Sequence, residues 1–242
     1  MRIELNCDAG ESFGPWRMGR DEELIPLVSA VNVACGAHAG DPLTIERTIA
    51  LAVVVGAAIG AHPGYPDREG FGRRDLAMSA QELEASIVFQ VSAMAGMARA
   101  AGAELRHVKV HGALYNAAAR DPGLAEPIAR AVRRCSPALI VVGPPGSALL
   151  AAADAAGLAT QAEGFADRAY EPDGALRSRR LAGALIEDPA AAAAQALDLA
   201  ASGRFETLCV HGDTPGAPEI ARAVREALVA AGHEVPGGGS AR

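Results

Sequence analysis

The chain has 242 residues, of which 50% are hydrophobic and 21% charged, with nine aromatic residues and a formal net charge of −7. This length is enough for one sizeable core, and barrels of this size commonly form a single domain. The acidic balance argues against nucleic-acid binding, charges interrupt every apolar run before about 18 residues, and no apolar secretory segment opens the chain. The four cysteines form no CxxC pair. We expect a soluble cytoplasmic protein that handles small molecules and binds neither nucleic acid nor membrane.

Short β-branched or apolar runs recur along the chain and predict seven strands. They cover residues 3–7, 30–35, 57–61, 105–110, 138–142, 159–162 and 207–210. Strands that alternate with longer helical runs pair in parallel through right-handed crossovers. We therefore predict an α/β fold, a seven-stranded parallel barrel in one domain over residues 1–234, with a doubly wound sheet as the alternative. The glycine-rich residues 235–242 are predicted to be a disordered tail.

Helix starts carry specific signals. An acidic residue precedes a proline at three places, which are Asp41, Asp121 and Asp188. This pairing is typical of an N-cap followed by the first helical residue. Ser79 and Glu82 have the spacing of a capping box, and Gly102 is the predicted end of the helix that they begin.

The predicted strand ends are polar to an unusual degree. The polar residues in or beside them are Asn6, Asp8, Glu11, Asn32, His38, His62, Lys109, His111, Glu163, Asp167, Arg168, His211 and Asp213. Any single one could be a satisfied core residue or a helix cap. Burying so many without partners would cost about 1–3 kcal/mol each, so one shared site is the more economical explanation. In parallel α/β folds, such a site forms at the carboxyl ends of the strands.

Lys109 is the only lysine beside 21 arginines. It lies within an apolar strand pattern, His-Val-Lys-Val-His, whose alternation places it on the same face as His107 or His111. A lone lysine here indicates a need for a compact charge and a titratable amine, which a guanidinium does not offer. Alternatively, Lys109 has no special role, and its side chain simply extends to solvent at the rim of the barrel.

Other motifs are weaker. Asp8, His62 and His111 are suitable metal ligands, but they are scattered and have no HxxxH or HExxH spacing among themselves. GxSxG, Walker A and GxGxxG motifs are absent. The glycine-rich loop 67–75 contains Arg73 and Arg74, and it is either a cover for an anionic substrate or a solvated loop with local ion pairs.

Seven ordered blocks together resemble the LamB/YcsF family. They are LNCDAGESFG at 5–14, VNVACGAHAGDP at 31–42, GAHPGYPD at 60–67, GFGRR at 70–74, VKVHGALYN at 108–116, EGFADRAY at 163–170 and CVHGD at 209–213. Departures are small: Ala37 replaces a bulkier residue, Val110 replaces the usual proline, and residues 177–180 are more basic than usual.

The resemblance implies a seven-stranded (β/α) barrel of the glycoside hydrolase/deacetylase type. It also implies ATP-dependent opening of 5-oxo-L-proline to L-glutamate, with release of ADP and phosphate, by a 5-oxoprolinase in which the chain acts beside B and C subunits. ATP would be a co-substrate of the complex, accompanied by a divalent metal such as Mg²⁺.

We assign expected roles to the polar strand-end residues. Asp8 or Asp213 would be the general base, with His62 or His111 as the alternative. Lys109 would stabilise oxyanion or phosphoryl charge, and Arg73 or Arg168 would clamp the substrate carboxylate. The full substrate-binding set is Asn6, Asn32, His38, Arg73, Glu163, Asp167, Arg168 and His211. A metal, if present, would be held by Asp8, His62 and His111.

Two other functions remain open at this point. An autonomous metal-dependent deacetylase or amidohydrolase would use the same supply of aspartate and histidine. A non-catalytic subunit could instead hold 5-oxoproline or organise its partners.

Overall fold

The computed structural model describes residues 1–172, 174–179 and 181–237. Within these residues, seven parallel strands close into a barrel in chain order, and the first strand pairs with the last. The strands are β1 (Glu4–Ala9), β2 (Ala30–Ala34), β3 (Ala58–His62), β4 (Leu105–Val108), β5 (Ile140–Gly143), β6 (Ala159–Phe165) and β7 (Thr207–His211). The predicted barrel is confirmed, and the doubly wound sheet is excluded because β1 and β7 pair.

Helices connect the strands and surround the barrel. They are α1 (Asp21–Leu24), extended by a 3₁₀ turn (Ile25–Leu27), α2 (Pro42–Val55), α3 (Ala80–Ala100), α4 (Gly112–Ala118), α5 (Pro122–Cys135), α6 (Ala148–Ala155), α7 (Pro189–Ala201) and α8 (Ala217–Ala230). Among the described residues, none of these helices has both the length and the apolar character needed to cross a bilayer.

The predicted helix caps are confirmed. The carboxylates of Asp41, Asp121 and Asp188 each accept hydrogen bonds from backbone N–H groups in the first turn of α2, α5 and α7. Ser79 and Glu82 form both halves of the capping box at the start of α3. These bonds satisfy N–H groups that have no partner within the helix.

Strand bounds differ from the prediction by up to three residues at an end, as in β4 and β6. β4 ends at Val108, so Lys109 lies just beyond the strand. The backbone N–H of Lys109 still donates to the carbonyl of Ala61 at 3.0 Å, which keeps its side chain directed as the strand alternation predicts. β6 is longer than predicted and reaches Phe165.

Alternate residues of the strands face opposite sides of the barrel wall. In β1, Leu5 and Cys7 belong to the hydrophobic core between barrel and helices, whereas Glu4, Asn6 and Asp8 are buried polar residues. The four cysteines are free, as their spacing predicts. Since Glu4, Asn6 and Asp8 face away from the hydrophobic core, the interior of the barrel is polar, and its side chains need one another as partners.

Gly60 makes room for the imidazole of His107 inside the barrel. A Cβ added at Gly60 would lie 2.1 Å from His107 Nε2. We expect Gly60→Ala to lower the free energy of unfolding by about 1–3 kcal/mol, because the ring must move. Gly96→Ala in α3 is the control: an added Cβ there meets nothing within 4 Å, so about 0.5–1 kcal/mol of stabilisation is expected. Urea unfolding measures both, and equal effects would contradict the steric explanation.

The first two residues of the predicted tail, 235 and 236, contact the rest of the protein. Val235 is buried, and Pro236 accepts a hydrogen bond from Ser29 Oγ at 2.6 Å. Arg225 donates to the carbonyls of both residues, at 3.1 and 3.0 Å. This segment is therefore part of the domain, and residues 238–242 of the predicted tail lie outside the described residues.

Candidate active site

The carboxyl ends of the strands and the loops that follow them hold the residues predicted for the site. The structure arranges these residues in four groups: a buried ammonium with its carboxylates, a cluster of histidines, a carboxylate–imidazole pair and a set of arginines at the rim. Each group draws on elements that are distant in the sequence.

Lys109 lies inside the barrel and is only 2% exposed. Its Nζ lies 2.9 Å from Asp8 Oδ1, 2.9 Å from Glu163 Oε1 and 3.1 Å from Cys209 Sγ. Burial would lower the pKa of Lys109, but Asp8, Cys209 and Glu163 raise it well above its usual value. Burial would likewise raise the pKa of Asp8, but His62 and Lys109 hold it well below its usual range. Lys109 is therefore a buried ammonium ion, not the titratable amine suggested by the sequence.

Two asparagines hold these carboxylates in place. Asn32 Nδ2 donates to Asp8 Oδ1 at 2.9 Å and to Asn6 Oδ1 at 2.8 Å. Asn6 Nδ2 donates to Glu163 Oε1 at 3.0 Å and to Thr207 Oγ1 at 2.8 Å. The amides of Asn6 and Asn32, which we expected to bind substrate, are thus engaged with other side chains in the barrel.

His107 extends this network. Because all three Asn32 Nδ2 contacts are to acceptors, the oxygens of Asn6, Cys7 and Asp8, Asn32 Oδ1 faces His107 and accepts from its Nε2–H at 2.7 Å. Burial and the nearby Arg106 lower the pKa of His107 to about 3. The folded protein therefore keeps this imidazole neutral.

The neutral His107 makes stability depend on pH. In the unfolded chain its pKa is about 6.5, so below that value the unfolded state binds a proton that the folded state does not. Its contribution to stability is complete above about pH 6.5 and is lost as the pH falls towards 3. We expect wild type to lose about 2 kcal/mol more than His107→Gln between about pH 7.5 and pH 5, at about 1.4 kcal/mol per pH unit. Urea unfolding at both pH values measures this, and equal losses would contradict it.

The histidine cluster consists of Glu11, His38, His62 and His111. His62 Nδ1 lies 2.7 Å from the carbonyl oxygen of Lys109, and His111 Nε2 lies 2.8 Å from that of Phe71. A carbonyl only accepts, so both nitrogens carry hydrogen. The remaining nitrogens, His62 Nε2 and His111 Nδ1, face each other at 3.0 Å with the rings nearly perpendicular.

Glu11 and His38 complete the cluster. Glu11 Oε1 lies 3.4 Å from His38 Nε2 and 3.6 Å from His111 Nδ1. The His38 ring stacks on His111 with 3.8 Å between centroids. In the described part of the chain, Glu11 Oε1 and both His38 nitrogens are among the few buried side-chain atoms without a hydrogen-bond partner. Burial and the charges of Asp8 and Asp213 raise the pKa of Glu11 well above its usual value.

Asp167 and His211 form the carboxylate–imidazole pair. His211 Nδ1 donates to Asp167 Oδ1 at 2.9 Å, and Thr214 Oγ1 donates to Asp167 Oδ2 at 2.6 Å. Burial would raise the pKa of Asp167, but His211 holds it below its usual value. In the neutral imidazole this donation leaves His211 Nε2 as an acceptor, and Nε2 lies 4.0 Å from Asp8 Oδ2. The pair therefore presents an oriented imidazole nitrogen to Asp8.

The rim carries an excess of arginine. Arg73 Nη2 lies 2.6 Å from Asp213 Oδ2, and Arg179 Nη1 lies 3.2 Å from the same oxygen. Burial would raise the pKa of Asp213, but the two guanidinium groups hold it below its usual value. An acid held between two cations is a weak base, and the rim retains positive charge that can attract an anion.

Arg168 supports the loop after β6. It is 6% exposed, and its Nε and Nη2 donate to the carbonyls of Ala184 and Arg177 at 3.3 and 2.7 Å. Burial and the charge of Arg179 lower its pKa to about 10. These backbone contacts place its guanidinium in the loop framework, whereas Arg73 is at the rim.

A strap of residues 67–74 covers the histidine cluster. Phe71 and Gly72 have left-handed φ angles of 54° and 62°, and Gly72 O accepts from the backbone N–H of Ala113 at 2.9 Å. A Cβ at Gly72 would lie 2.8 Å from both His38 and His111. The loop therefore packs directly on the cluster, so glycine is required at position 72.

Sequence reasoning missed several partners of the site. Glu11 and Tyr115 are beside predicted site residues but were given no role, and Tyr115 OH donates to Glu163 Oε2 at 2.9 Å. Glu11 could have been identified as a site residue because it follows Asp8 by only three residues. Cys209 has no such signal, because a cysteine within an apolar strand is typical of a core.

A closed parallel barrel with a buried ammonium, an oriented imidazole and an arginine rim at the carboxyl ends of its strands has the arrangement of a (β/α)-barrel enzyme. The chain belongs to the LamB/YcsF family, whose sequence model matches residues 3–240. The resemblance found in the sequence is thereby confirmed.

Relatives and a solved structure match nearly the whole chain. It is 53% identical to the 5-oxoprolinase A subunit of Methylococcus capsulatus, over 95% of this chain and 93% of that protein. It is 51% identical to the 5-oxoprolinase A subunit of Chloroflexus aggregans, over 96% and 97%. The lactam utilization protein from Thermus thermophilus superimposes with a TM-score of 0.92 at 45% identity, over 98% of this chain and 100% of that one.

Proposed function

We propose that this chain is the A subunit of a three-component 5-oxoprolinase, in which it acts with B and C subunits. The complex opens 5-oxo-L-proline to L-glutamate and hydrolyses ATP to ADP and phosphate. The observation that carries the proposal is the identity of 53% and 51% over nearly full length to the A subunits of two 5-oxoprolinases. Because those relatives are each one subunit of a larger enzyme, they support a multi-subunit assembly.

The chemistry explains why ATP is needed. The five-membered lactam is an unstrained amide with a poorly electrophilic carbonyl, and glutamate tends to close again. Transfer of the γ-phosphoryl group of ATP to the amide oxygen releases ADP and makes that oxygen a leaving group. Water then adds to the carbon, cleavage of the C–N bond frees the amine and leaves an acyl phosphate, and a second water releases phosphate to yield glutamate. ATP, accompanied by Mg²⁺, is thus a co-substrate of the complex.

His211 is the general acid–base in this proposal. Its Nε2 is available and is oriented by Asp167, in the manner of other carboxylate–imidazole pairs. Asp8 is paired with Lys109 and Asp213 is held by two arginines, so both are poorer bases than expected from the sequence. His62 and His111 direct their remaining nitrogens at each other.

Lys109 stabilises negative charge that develops on the lactam or phosphoryl oxygen. Its three N–H groups contact Asp8, Glu163 and Cys209. The thiol is the weakest of these acceptors, so a substrate oxygen would displace it first. Arg73, at the rim, binds the substrate carboxylate.

An assay of glutamate formation tests this function. The chain is incubated with 5-oxoproline and ATP, first alone and then with the B and C subunits, and ADP is measured in parallel. We expect glutamate and ADP in equal amounts only when all three subunits are present. Glutamate from this chain alone without ATP would instead support an autonomous amidohydrolase. Glutamate from B and C without this chain would show that it has no catalytic role.

A further inference from the structure

We propose that His62 Nε2, His111 Nδ1 and Glu11 Oε1 bind a divalent transition-metal ion beneath the strap. The ligand atoms of this cluster lie within 4.8 Å of one another. All three residues are buried, with exposures of 1%, 4% and 6%. The proposal concerns binding by this chain and does not depend on the reaction that the complex performs.

The tautomers of His62 and His111 leave one nitrogen of each ring without hydrogen. Backbone carbonyls of Lys109 and Phe71 take the N–H of each ring, so two nitrogen lone pairs face each other at 3.0 Å. Facing lone pairs repel unless a cation lies between them. Metal-binding histidines are commonly oriented in this way, with the second nitrogen donating to a carbonyl.

Glu11 distinguishes a metal ion from a proton. Its Oε1 lies 3.6 Å from His111 Nδ1 and has no hydrogen-bond partner. A shared proton would satisfy the two imidazole nitrogens and leave this buried oxygen without a partner. A metal ion satisfies all three atoms and also compensates the buried carboxylate charge.

Two of the three ligand distances match common coordination geometries, and the third, between His62 and Glu11, is at most 4.8 Å. Ligands bound at about 2.1 Å lie about 3.0 Å apart at right angles and about 3.4 Å apart in a tetrahedron. The two distances in the structure are 3.0 Å between the imidazole nitrogens and 3.6 Å from His111 Nδ1 to Glu11 Oε1. Two imidazoles with one carboxylate suit Zn²⁺, Mn²⁺, Fe²⁺ or Co²⁺, whereas Mg²⁺ prefers oxygen ligands.

A second group of possible metal ligands consists of Asp8, Cys209 and His211. The ammonium group of Lys109, however, lies at its centre. The ammonium lies 2.9 Å from Asp8 Oδ1 and 3.1 Å from Cys209 Sγ. A metal ion there would be repelled by a unit positive charge at contact distance. Asp8 Oδ2 lies 3.4 Å from His62 Nε2, but the other oxygen of Asp8 binds Lys109, and the proposed set therefore has Glu11 in place of the Asp8 suggested by the sequence.

His38 supports the site without binding the ion. Its ring is parallel to His111, with an interplanar angle of 1° and 3.8 Å between centroids. An ion in the plane of the His111 ring therefore lies outside the plane of His38. His38 Nε2 is 3.4 Å from Glu11 Oε1, a position from which it helps to orient that carboxylate.

Cobalt binding tests the proposal on the purified chain. After dialysis against a chelator, the protein is titrated with Co²⁺, the visible absorption bands of the bound ion are recorded, and Zn²⁺ is added as competitor. We expect one equivalent of Co²⁺ per chain, displaced by Zn²⁺. Glu11→Gln and His111→Gln should weaken binding by at least about 100-fold, since even loss of an outer-sphere partner costs about 10–100-fold.

His233→Gln is the matched control, because it also removes an imidazole with a buried unpartnered nitrogen but lies in the segment after α8. This variant should bind Co²⁺ like wild type. Circular dichroism shows whether each variant is folded. If His111→Gln does not fold, the comparison of Glu11→Gln with wild type tests the proposal. Absence of stoichiometric binding by folded wild type, or unchanged binding by Glu11→Gln, would overturn the proposal.

Discussion

Replacing Lys109 with methionine is expected to abolish the activity of the complex and to lower the free energy of unfolding by about 3–5 kcal/mol. Methionine keeps most of the volume but removes the ammonium, so Asp8 and Glu163 remain buried as carboxylates with no cation. Both lie 2.9 Å from Nζ in the wild-type protein. Breaking a buried pair from one side is costly because the uncompensated charge stays behind.

Urea unfolding and the glutamate assay measure these effects. Arg134→Met is the matched control: it removes an ion pair of 2.8 Å with Glu84, but its side chain is 61% exposed, so we expect a loss below about 1 kcal/mol. Adding Glu163→Gln to Lys109→Met should recover part of the lost stability. Lys109→Arg keeps the charge but not the shape, and wild-type turnover by this variant would contradict the role of the lysine.

Asp167→Asn is expected to lower the kcat of the complex by about 10²–10⁴-fold while the chain remains folded. The carboxylate accepts from His211 Nδ1 at 2.9 Å and stabilises the imidazole when it takes up a proton. An asparagine can present its amide hydrogens to Nδ1, and the hydrogen then moves to Nε2. His211 would lose the acceptor that we propose takes a proton in the reaction.

Thr214→Val separates this effect from simple destabilisation. It removes the 2.6 Å hydrogen bond to Asp167 Oδ2 but keeps the charge and the contact with His211. We expect a stability loss of about 1 kcal/mol and less than tenfold lower kcat. Steady-state kinetics measure the difference in kcat between the two variants. We expect their KM values for 5-oxoproline to be equal. Equal kcat values for the two variants would show that Asp167 has only a structural role.

Much of the fold was predictable because its signals are local. Short β-branched or apolar runs, such as residues 3–7, identified the strands, and Asp41, Asp121 and Asp188 marked three helix starts. The strand ends were less certain, since β4 ends at Val108 although the apolar pattern continues to Val110. Hydrogen bonding to the neighbouring strand decides that boundary, and it is not visible in one segment.

The sequence indicated which polar side chains lie at the strand ends, but not which of them contact one another. Lys109 was identified from composition and from its apolar strand pattern, yet its contacts with Asp8 and Glu163 join residues 101 and 54 positions away. The sequence offered Arg168 as a carboxylate clamp, while its guanidinium donates to Ala184 and Arg177 carbonyls. These carbonyls belong to the loop after β6, which folds back over Arg168, and their contact with the guanidinium is visible only in the folded structure.

Closure of the barrel between β1 and β7 links folding to function. The pairing brings Asp8 into register with His211, although these residues lie near opposite ends of the chain. In any intermediate with an open seam, Asp8 and His211 are separated and Lys109 loses a carboxylate partner. Local opening of this seam alone would therefore disrupt the site while the remaining strands stay paired.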